Sequence, residues 1–330
     1  MNLKEISIKD IGGFRIGNAQ NYDAMTGVTA IVFDRENTAG IDISGGGPAA
    51  RESYLFTPLA YKQSITALLL SGGSAYGLAA ATGAMQYLEE HRMGYRLMDM
   101  VIPIVPQSCI FDLSTKTKVR PDAKMGYDAC QNAELDALPK SGNVGGGCGA
   151  SVGKICGLKR AQKSGIGYYA LQVGHLKVGA VVIVNALGDV FDFRSGKKVA
   201  GAMNAERTAF MDSEEELYSM QNKIQQKLTE GTNTTIGAII TNASFSQQEM
   251  CKIAAMSRSG LARSINPVGT SADGDTVYAV SCGGVKSDCN LVGTLASRVL
   301  SMAILDAVTS SKMTEEEYAR FLQIKGELSC

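Results

Sequence analysis

The chain has 330 residues in which 32 Lys and Arg balance 32 Asp and Glu, so its formal net charge is zero. No strong field draws such a chain to a polyanion or to an anionic membrane, which sets nucleic acid and membrane surfaces aside as partners. Hydrophobic residues make up 45% and charged residues 19%, below the roughly 25% charged of an average soluble chain. A large buried core with little disorder is expected.

Two further counts narrow the chemistry. The only histidines are His91 and His175, so a three-histidine zinc site is impossible. His91 ends a helical stretch and His175 sits in a turn between two apolar runs, contexts that read as structural or surface positions. The eight cysteines include no C-x-x-C pair, a spacing that fits neither a metal centre nor a small disulfide framework. They read as reduced, mostly buried thiols of a cytoplasmic protein.

At the N-terminus, Lys4, Glu5, Lys9 and Asp10 interrupt any apolar stretch of the kind a secretory signal needs. Residues 27–33 (GVTAIVF) and 65–70 (ITALLL) read as buried strands. After the turn SGGSAYG, Leu78, Ala81, Met85 and Leu88 recur at helical spacing. The glycine loop at 143–154 (NVGGGCGASVGK) invites a nucleotide-binding reading. It fails the Walker pattern, because Cys148 and Ile155 occupy the required Gly and Ser/Thr places. Gly145, Gly147 and Ala150 meet the relaxed dinucleotide pattern, but no long strand precedes them and no acidic residue follows about 20 positions on. Two uses of the loop remain: close backbone approach, or delivery of Lys154 into a site on a tight turn.

Residues 178–184 (VGAVVIV) predict a further strand. The polar stretch 194–233 follows; it holds an amphipathic segment at 217–228 and reads as an exposed linker. Residues 236–241 and 276–281 predict strands, Ser246 and Glu249 form a capping box ahead of a helix, and 290–308 predict another helix, too short and too charged at Arg298 and Asp306 to span a membrane. Thr314 and Glu317 cap a last, polar helix in the tail 310–330.

The junction Asn233-Thr234-Thr235 places a hydroxyl where the polar stretch meets a core strand. An N-terminal-nucleophile hydrolase needs this placement: cleavage before Thr234 leaves a nucleophilic Oγ and, on the same residue, an α-amino group of ordinary pKa about 7.7–8 to serve as its base. An Asn turn before a strand explains the same residues and is the commoner arrangement. The match to a glycosylation sequon is set aside by the lack of a signal sequence.

Eight ordered blocks carry a resemblance over nearly the whole chain: IKDIGGFRIGNA, DISGGGPAARES, LLLSGGSAYGLAAATGAMQYL, VIPIVPQSCIFDL, NVGGGCGASVGK, VGAVVIVNALGDV, NTTIGAIITNA and SINPVGTSADGDTVYAVS. They resemble the L-aminopeptidase/D-esterase family of self-cleaving hydrolases, which includes β-peptidyl aminopeptidases and nylon-oligomer hydrolase. The resemblance implies an α+β fold, a layered αββα sandwich with two central sheets, in one catalytic domain cut into 1–233 and 234–330. It implies Thr234 as the nucleophile freed by cleavage after Asn233, Asn185 as the oxyanion-stabilising amide, and Lys154 as a site lysine that orients Thr234. Asp273 and Asp275 would hold the α-ammonium or relay protons, pointing the same way if their segment is extended. No metal or organic cofactor is implied, the substrate is a small peptide, amide or ester, and the expected assembly is a homo-oligomer, a tetramer by resemblance. Cys148 stands where relatives often have Thr, Phe111 where some have Tyr, and the tail 310–330 matches none of the blocks. Acyl transfer to an amine, as in the similarly folded ornithine acetyltransferases, and a non-catalytic binding role on the same scaffold are the alternatives.

Overall fold

The computed structural model describes residues 3–61, 64–220 and 233–326. Its larger sheet has six strands, in spatial order Lys4–Ile6 (β1), Ile166–Val173 (β8), Leu176–Asn185 (β9), Thr234–Ala243 (β12), Thr276–Val285 (β14) and Thr38–Ile43 (β4). A second sheet runs Phe14–Asn21 (β2), Thr26–Phe33 (β3), Ala67–Ser71 (β6), Gln107–Cys109 (β7) and Ala49–Arg51 (β5). A small third sheet joins Lys197–Ala200 (β11), Asp189–Asp192 (β10) and Ile265–Asn266 (β13). The longer helices are Ala80–Glu90 (α1), Ala123–Ala133 (α2), Gln247–Ser264 (α4), Cys289–Thr309 (α5) and Glu315–Lys325 (α6), with a short one at Ser213–Ser219 (α3).

Side chains alternate across each strand, so a run that is apolar at every position must be covered on both faces. In β3, Val28, Ala30 and Val32 join Ala80, Ala84 and Ala129 of α1 and α2, while Ile31 and Phe33 point the other way. There they meet Ile183, Ile236, Ile240 and Tyr278 of the six-stranded sheet. Val178, Ala180, Val182 and Val184 of β9 turn to the opposite side and pack with Ile253, Leu261, Ala296 and Leu300 of α4 and α5. The five strands expected from apolar runs are all present, displaced or extended by one to four residues at their ends. Strands β2, β4 and β8 are not marked by such runs because polar and aromatic residues interrupt them.

Three expectations change. The stretch 194–233 is not simply an exposed linker: β11 pairs with β10, Asp212 caps α3, and Ala200, Ala202 and Met203 are buried. The buried Asp189 carboxylate holds it by accepting from Ala202 N at 2.8 Å, Ser213 Oγ at 2.7 Å and Lys198 Nζ at 2.7 Å, while Phe210 and Tyr218 remain exposed. Residues 221–232, with most of the amphipathic segment, lie outside the described residues. Helix α5, at 21 residues, is long and apolar enough by length and composition to cross a membrane; its most apolar 18-residue stretch is instead 67% buried in this fold. Helix α6 is not merely polar, since Tyr318, Phe321 and Lys325 are buried and the two aromatics pack on Met25 and Cys148; the last residues of the tail, 327–330, lie outside the described residues.

Candidate active site

Strands β9 and β12 are antiparallel neighbours, and their register sets Asn185, the last residue of one, opposite Thr234, the first residue of the other. Both are buried, at 1% and 3% exposure. The Thr234 hydroxyl donates a hydrogen bond to the carbonyl of Asn233, the residue before it. The same carbonyl accepts from the Gly274 N–H at 2.8 Å. Gly274 is needed there: a β-carbon on it would stand 2.8 Å from Thr234 Oγ1 and 2.9 Å from the Gly47 carbonyl.

The segment that brings Gly274 is anchored by the two aspartates flanking it. Asn233 bridges to Asp273 in parallel fashion. The Asp273 carboxylate accepts from Thr270 N at 2.8 Å and Thr270 Oγ1 at 2.6 Å. Asp275 accepts from Thr235 N at 2.5 Å and from Gly269 N at 3.0 Å. The turn lies at 270–273, and from Asp273 the chain runs beside the strand of Thr234 in parallel register, Asn233 opposite Asp273 and Ile236 opposite Thr276. Both carboxylates act on Lys154 but take separate hydrogen-bond partners, one inside the turn and one on the strand of Thr234. Burial, and then the neighbouring Asp273 charge, push the Asp275 carboxyl up to about 7.

Lys154 arrives on the glycine loop. Gly153 before it has φ +71°, and a β-carbon there would collide with the backbone of Gly201 and Ala202 at 2.1 Å. The two backbone amides Gly153 N and Lys154 N bond to the carbonyls of Gly188 and Leu187 at 3.0 and 2.9 Å, just beyond the end of β9. Close approach and lysine delivery are therefore one device. The ammonium donates to the Asn185 carbonyl at 2.8 Å. Protein atoms crowd it, and this desolvation lowers its pKa to about 7 against the opposing pull of Asp273, Asp275 and Asp112.

The Asn185 amide is held at both ends. Its Oδ1 accepts from Ser151 N at 3.2 Å and its Nδ2 donates to the Phe111 carbonyl at 3.1 Å. An amide Nδ2 carries two hydrogens, so fixing one sets the direction of the other.

All five expected side chains, Thr234, Asn185, Lys154, Asp273 and Asp275, thus belong to one cluster at the adjoining ends of β9 and β12. Asp112 joins it unexpectedly. It is buried, its Oδ1 accepts from Gly73 N at 2.7 Å, and its charge acts on Lys154. Its only signal in the sequence is one acidic residue near the end of the apolar run CIFDL, beside Phe111. Cys148 is fully buried among Met25, Tyr318 and Phe321, and burial raises its thiol to about 11. His91 stacks on Tyr87 with ring centroids 4.0 Å apart, and its Nδ1 lies 2.7 Å from the Tyr87 carbonyl. His175 sits at the opposite end of β9 from Asn185, on the order of 30 Å away for a ten-residue strand.

This arrangement, a threonine hydroxyl against the carbonyl before it on a core strand, sits in a mixed α/β fold shared with solved hydrolases. The fold superimposes on the L-aminopeptidase/D-Ala-esterase/amidase of Ochrobactrum anthropi, described as a variant of the Ntn-hydrolase fold, with a TM-score of 0.67, covering 98% of this chain and 95% of that one at 16% identity. It also superimposes on a Burkholderia sp. β-aminopeptidase with a TM-score of 0.64, covering 98% and 95% at 18% identity. Sequence relatives include an uncharacterized aminopeptidase of Mycobacterium leprae, 35% identical over 93% of this chain and 91% of that one. Another is the 6-aminohexanoate-oligomer endohydrolase of an Agromyces sp., 31% identical over 90% and 84%. The fold is of the N-terminal-nucleophile-hydrolase kind, and the protein is a hydrolase acting on peptide or amide bonds. The chain belongs to peptidase family S58, whose model matches residues 7–320.

Proposed function

We propose that the chain cuts its own backbone between Asn233 and Thr234 and then uses Thr234 as the nucleophile of an aminopeptidase-type amide hydrolase. The observation that carries this is the pair of hydrogen bonds on the Asn233 carbonyl, one from the Thr234 hydroxyl and one from the Gly274 amide. In the first step Thr234 Oγ bonds to the Asn233 carbonyl carbon, its proton passes to the neutral Lys154 amine, and the Gly274 N–H receives charge developing on the oxygen. The Asn233–Thr234 C–N bond then breaks, the proton goes to the departing Thr234 nitrogen, and an ester joins the two fragments. Water hydrolyses that ester, leaving an Asn233 carboxylate and a free Thr234.

In the second phase the Thr234 α-amine and Lys154 share the work of a base, and Thr234 Oγ attacks the substrate carbonyl. The Asn185 amide stabilises the oxyanion, the substrate C–N bond breaks as the base gives the departing amine its proton, and water then hydrolyses the acyl ester and restores Thr234. Asp275 and Asp273 hold the strand start and the turn around the nucleophile and balance positive charge there. The names of the relatives favour hydrolysis over transfer to an amine, and they point to small peptides or amides, or ω-amide oligomers, as substrates. The three apolar layers, one between the two large sheets and one on the helix side of each, support an αββα sandwich. A cytoplasmic homo-oligomer, a tetramer by family resemblance, completes the reading.

Intact-mass measurement of freshly purified protein tests it. Wild type should resolve into fragments 1–233 and 234–330 that stay associated, because β12 is a central strand. A Thr234→Ala protein should remain at full length. Wild type that never splits, or an alanine variant that splits equally, would refute the proposal.

A further inference from the structure

Lys325 closes the last turn of α6, beyond the 7–320 matched by the family model. It is 1% exposed, and a buried ammonium is tolerated only where its hydrogens are bonded. Three carbonyls bond them: Met25 at 2.7 Å, Ala24 at 3.2 Å and Asp112. The backbone of the same residue grips the neighbouring segment from the other side, since the Lys325 carbonyl accepts from Thr115 N at 2.9 Å and the Ile324 carbonyl from Ser114 Oγ at 2.7 Å. Tyr318 and Phe321 seat the helix on Met25 and Cys148, and Arg207 lies over the Tyr318 ring at 4.3 Å.

What this clamp holds is the stretch that orients the site amide. Phe111 supplies the carbonyl to which Asn185 Nδ2 donates, and Asp112, the next residue, presents its carbonyl to Lys325 and its carboxylate to Gly73 N. The Phe111 carbonyl therefore belongs to the peptide immediately before the one Lys325 fixes.

We propose that Lys325 is a positioning residue: from the C-terminal helix it fixes the backbone at Phe111 and Asp112 and through it the direction of the Asn185 amide. The inference rests on the reading of Asn185 as the oxyanion donor. Lys325 touches no reacting atom in this scheme. Its ammonium sets the geometry of a donor whose misplacement by about 1 Å is enough to cost on the order of a hundredfold in rate.

The test is a double-mutant cycle on the processed enzyme with a small amide substrate, combining Lys325→Met with Asn185→Ala. Lys325→Met alone should lower kcat about tenfold or more with KM within about twofold. In the Asn185→Ala background it should have almost no further effect, because groups acting through one another are not additive. Ser114→Ala, which loosens the helix end while leaving the ammonium in place, should give a smaller kcat loss with the same non-additivity, and it carries the test if Lys325→Met does not fold. Losses that multiply in the double variant, or wild-type kcat in a folded Lys325→Met protein, would overturn the inference alone. Wild-type turnover in Asn185→Ala would overturn the oxyanion assignment and this inference with it.

Discussion

Asn185 and Thr234 face each other across adjacent antiparallel strands, each the terminal residue of its own strand. On the proposed reading, a donor and a nucleophile placed by sheet register are held by the backbone ladder of two buried strands, which is more rigid than a pair of loops. Asn185→Ala should therefore leave the fold intact and lower turnover on an amide substrate by about 10²–10³, the cost of removing one oxyanion donor. Unchanged steady-state turnover would remove Asn185 from the mechanism.

On the proposed mechanism, the Lys154 ammonium, brought down to about 7 by desolvation, would set the pH dependence of self-cleavage. A base must be neutral to accept the Thr234 proton, and the neutral fraction of a lysine rises with pH. Cleavage should therefore be slow at about pH 5.5 and quicken to a plateau above about pH 8, with a midpoint near 7. The Asp275 carboxyl, raised to about 7, ionises over the same range, so the profile belongs to both groups. Lys154→Met should abolish the plateau; a Lys154→Met protein cutting at the wild-type rate and with the same profile would show that another group takes the proton.

Gly274 is open to a direct steric test. An added β-carbon would stand 2.8 Å from Thr234 Oγ1, closer than real β-carbons approach a neighbour, and 2.9 Å from a backbone carbonyl that cannot swing away. Gly274→Ala should slow conversion of precursor to fragments by at least about tenfold, through a misplaced hydroxyl and a longer amide contact to the Asn233 carbonyl. A time course of cleavage on gels that matches wild type would contradict this.

Cys148 shares the glycine loop with Lys154 and is the residue most easily mistaken for a nucleophile. Burial raises its thiol to about 11 and keeps it protonated at neutral pH, and the thiolate is the reactive form. Cys148→Ala should keep most of the activity that Thr234→Ala loses. Chemical labelling of the native enzyme should leave Cys148 unmodified, and stoichiometric inactivation through this residue would make the protein a cysteine enzyme.

Much of the molecule is legible in the amino-acid sequence alone. The β-branched runs mark strands at 27–33, 178–184 and 236–241 because a strand covered on both faces can hold no polar residue without an internal partner. The boxes Ser246/Glu249 and Thr314/Glu317 announce helix starts because the orphan amides of a first turn need local acceptors, and both boxes form. Thr234 is conspicuous for the same local reason, a hydroxyl at the edge of a core strand. Other features belong to packing between distant segments. The pairing of Asn185 with Thr234 depends on register between residues 49 positions apart in sequence (234 − 185), and nothing local in either strand states it. The separate hydrogen-bond partners of the two aspartates, Thr270 for one and Thr235 with Gly269 for the other, come from the turn before them and the strand beside them, which their i, i+2 spacing does not report. Asp112 and Lys325 are the hardest to see. A lone acidic residue near the end of an apolar run and a lysine ending a polar helix look like surface groups, and only tertiary packing buries them, Asp112 against the glycine loops at 72–73 and 149 and Lys325 against the segment after β7. Composition reports how many charges a chain carries, but the desolvation that turns a charge into a positioned group exists only once the layers have closed around it.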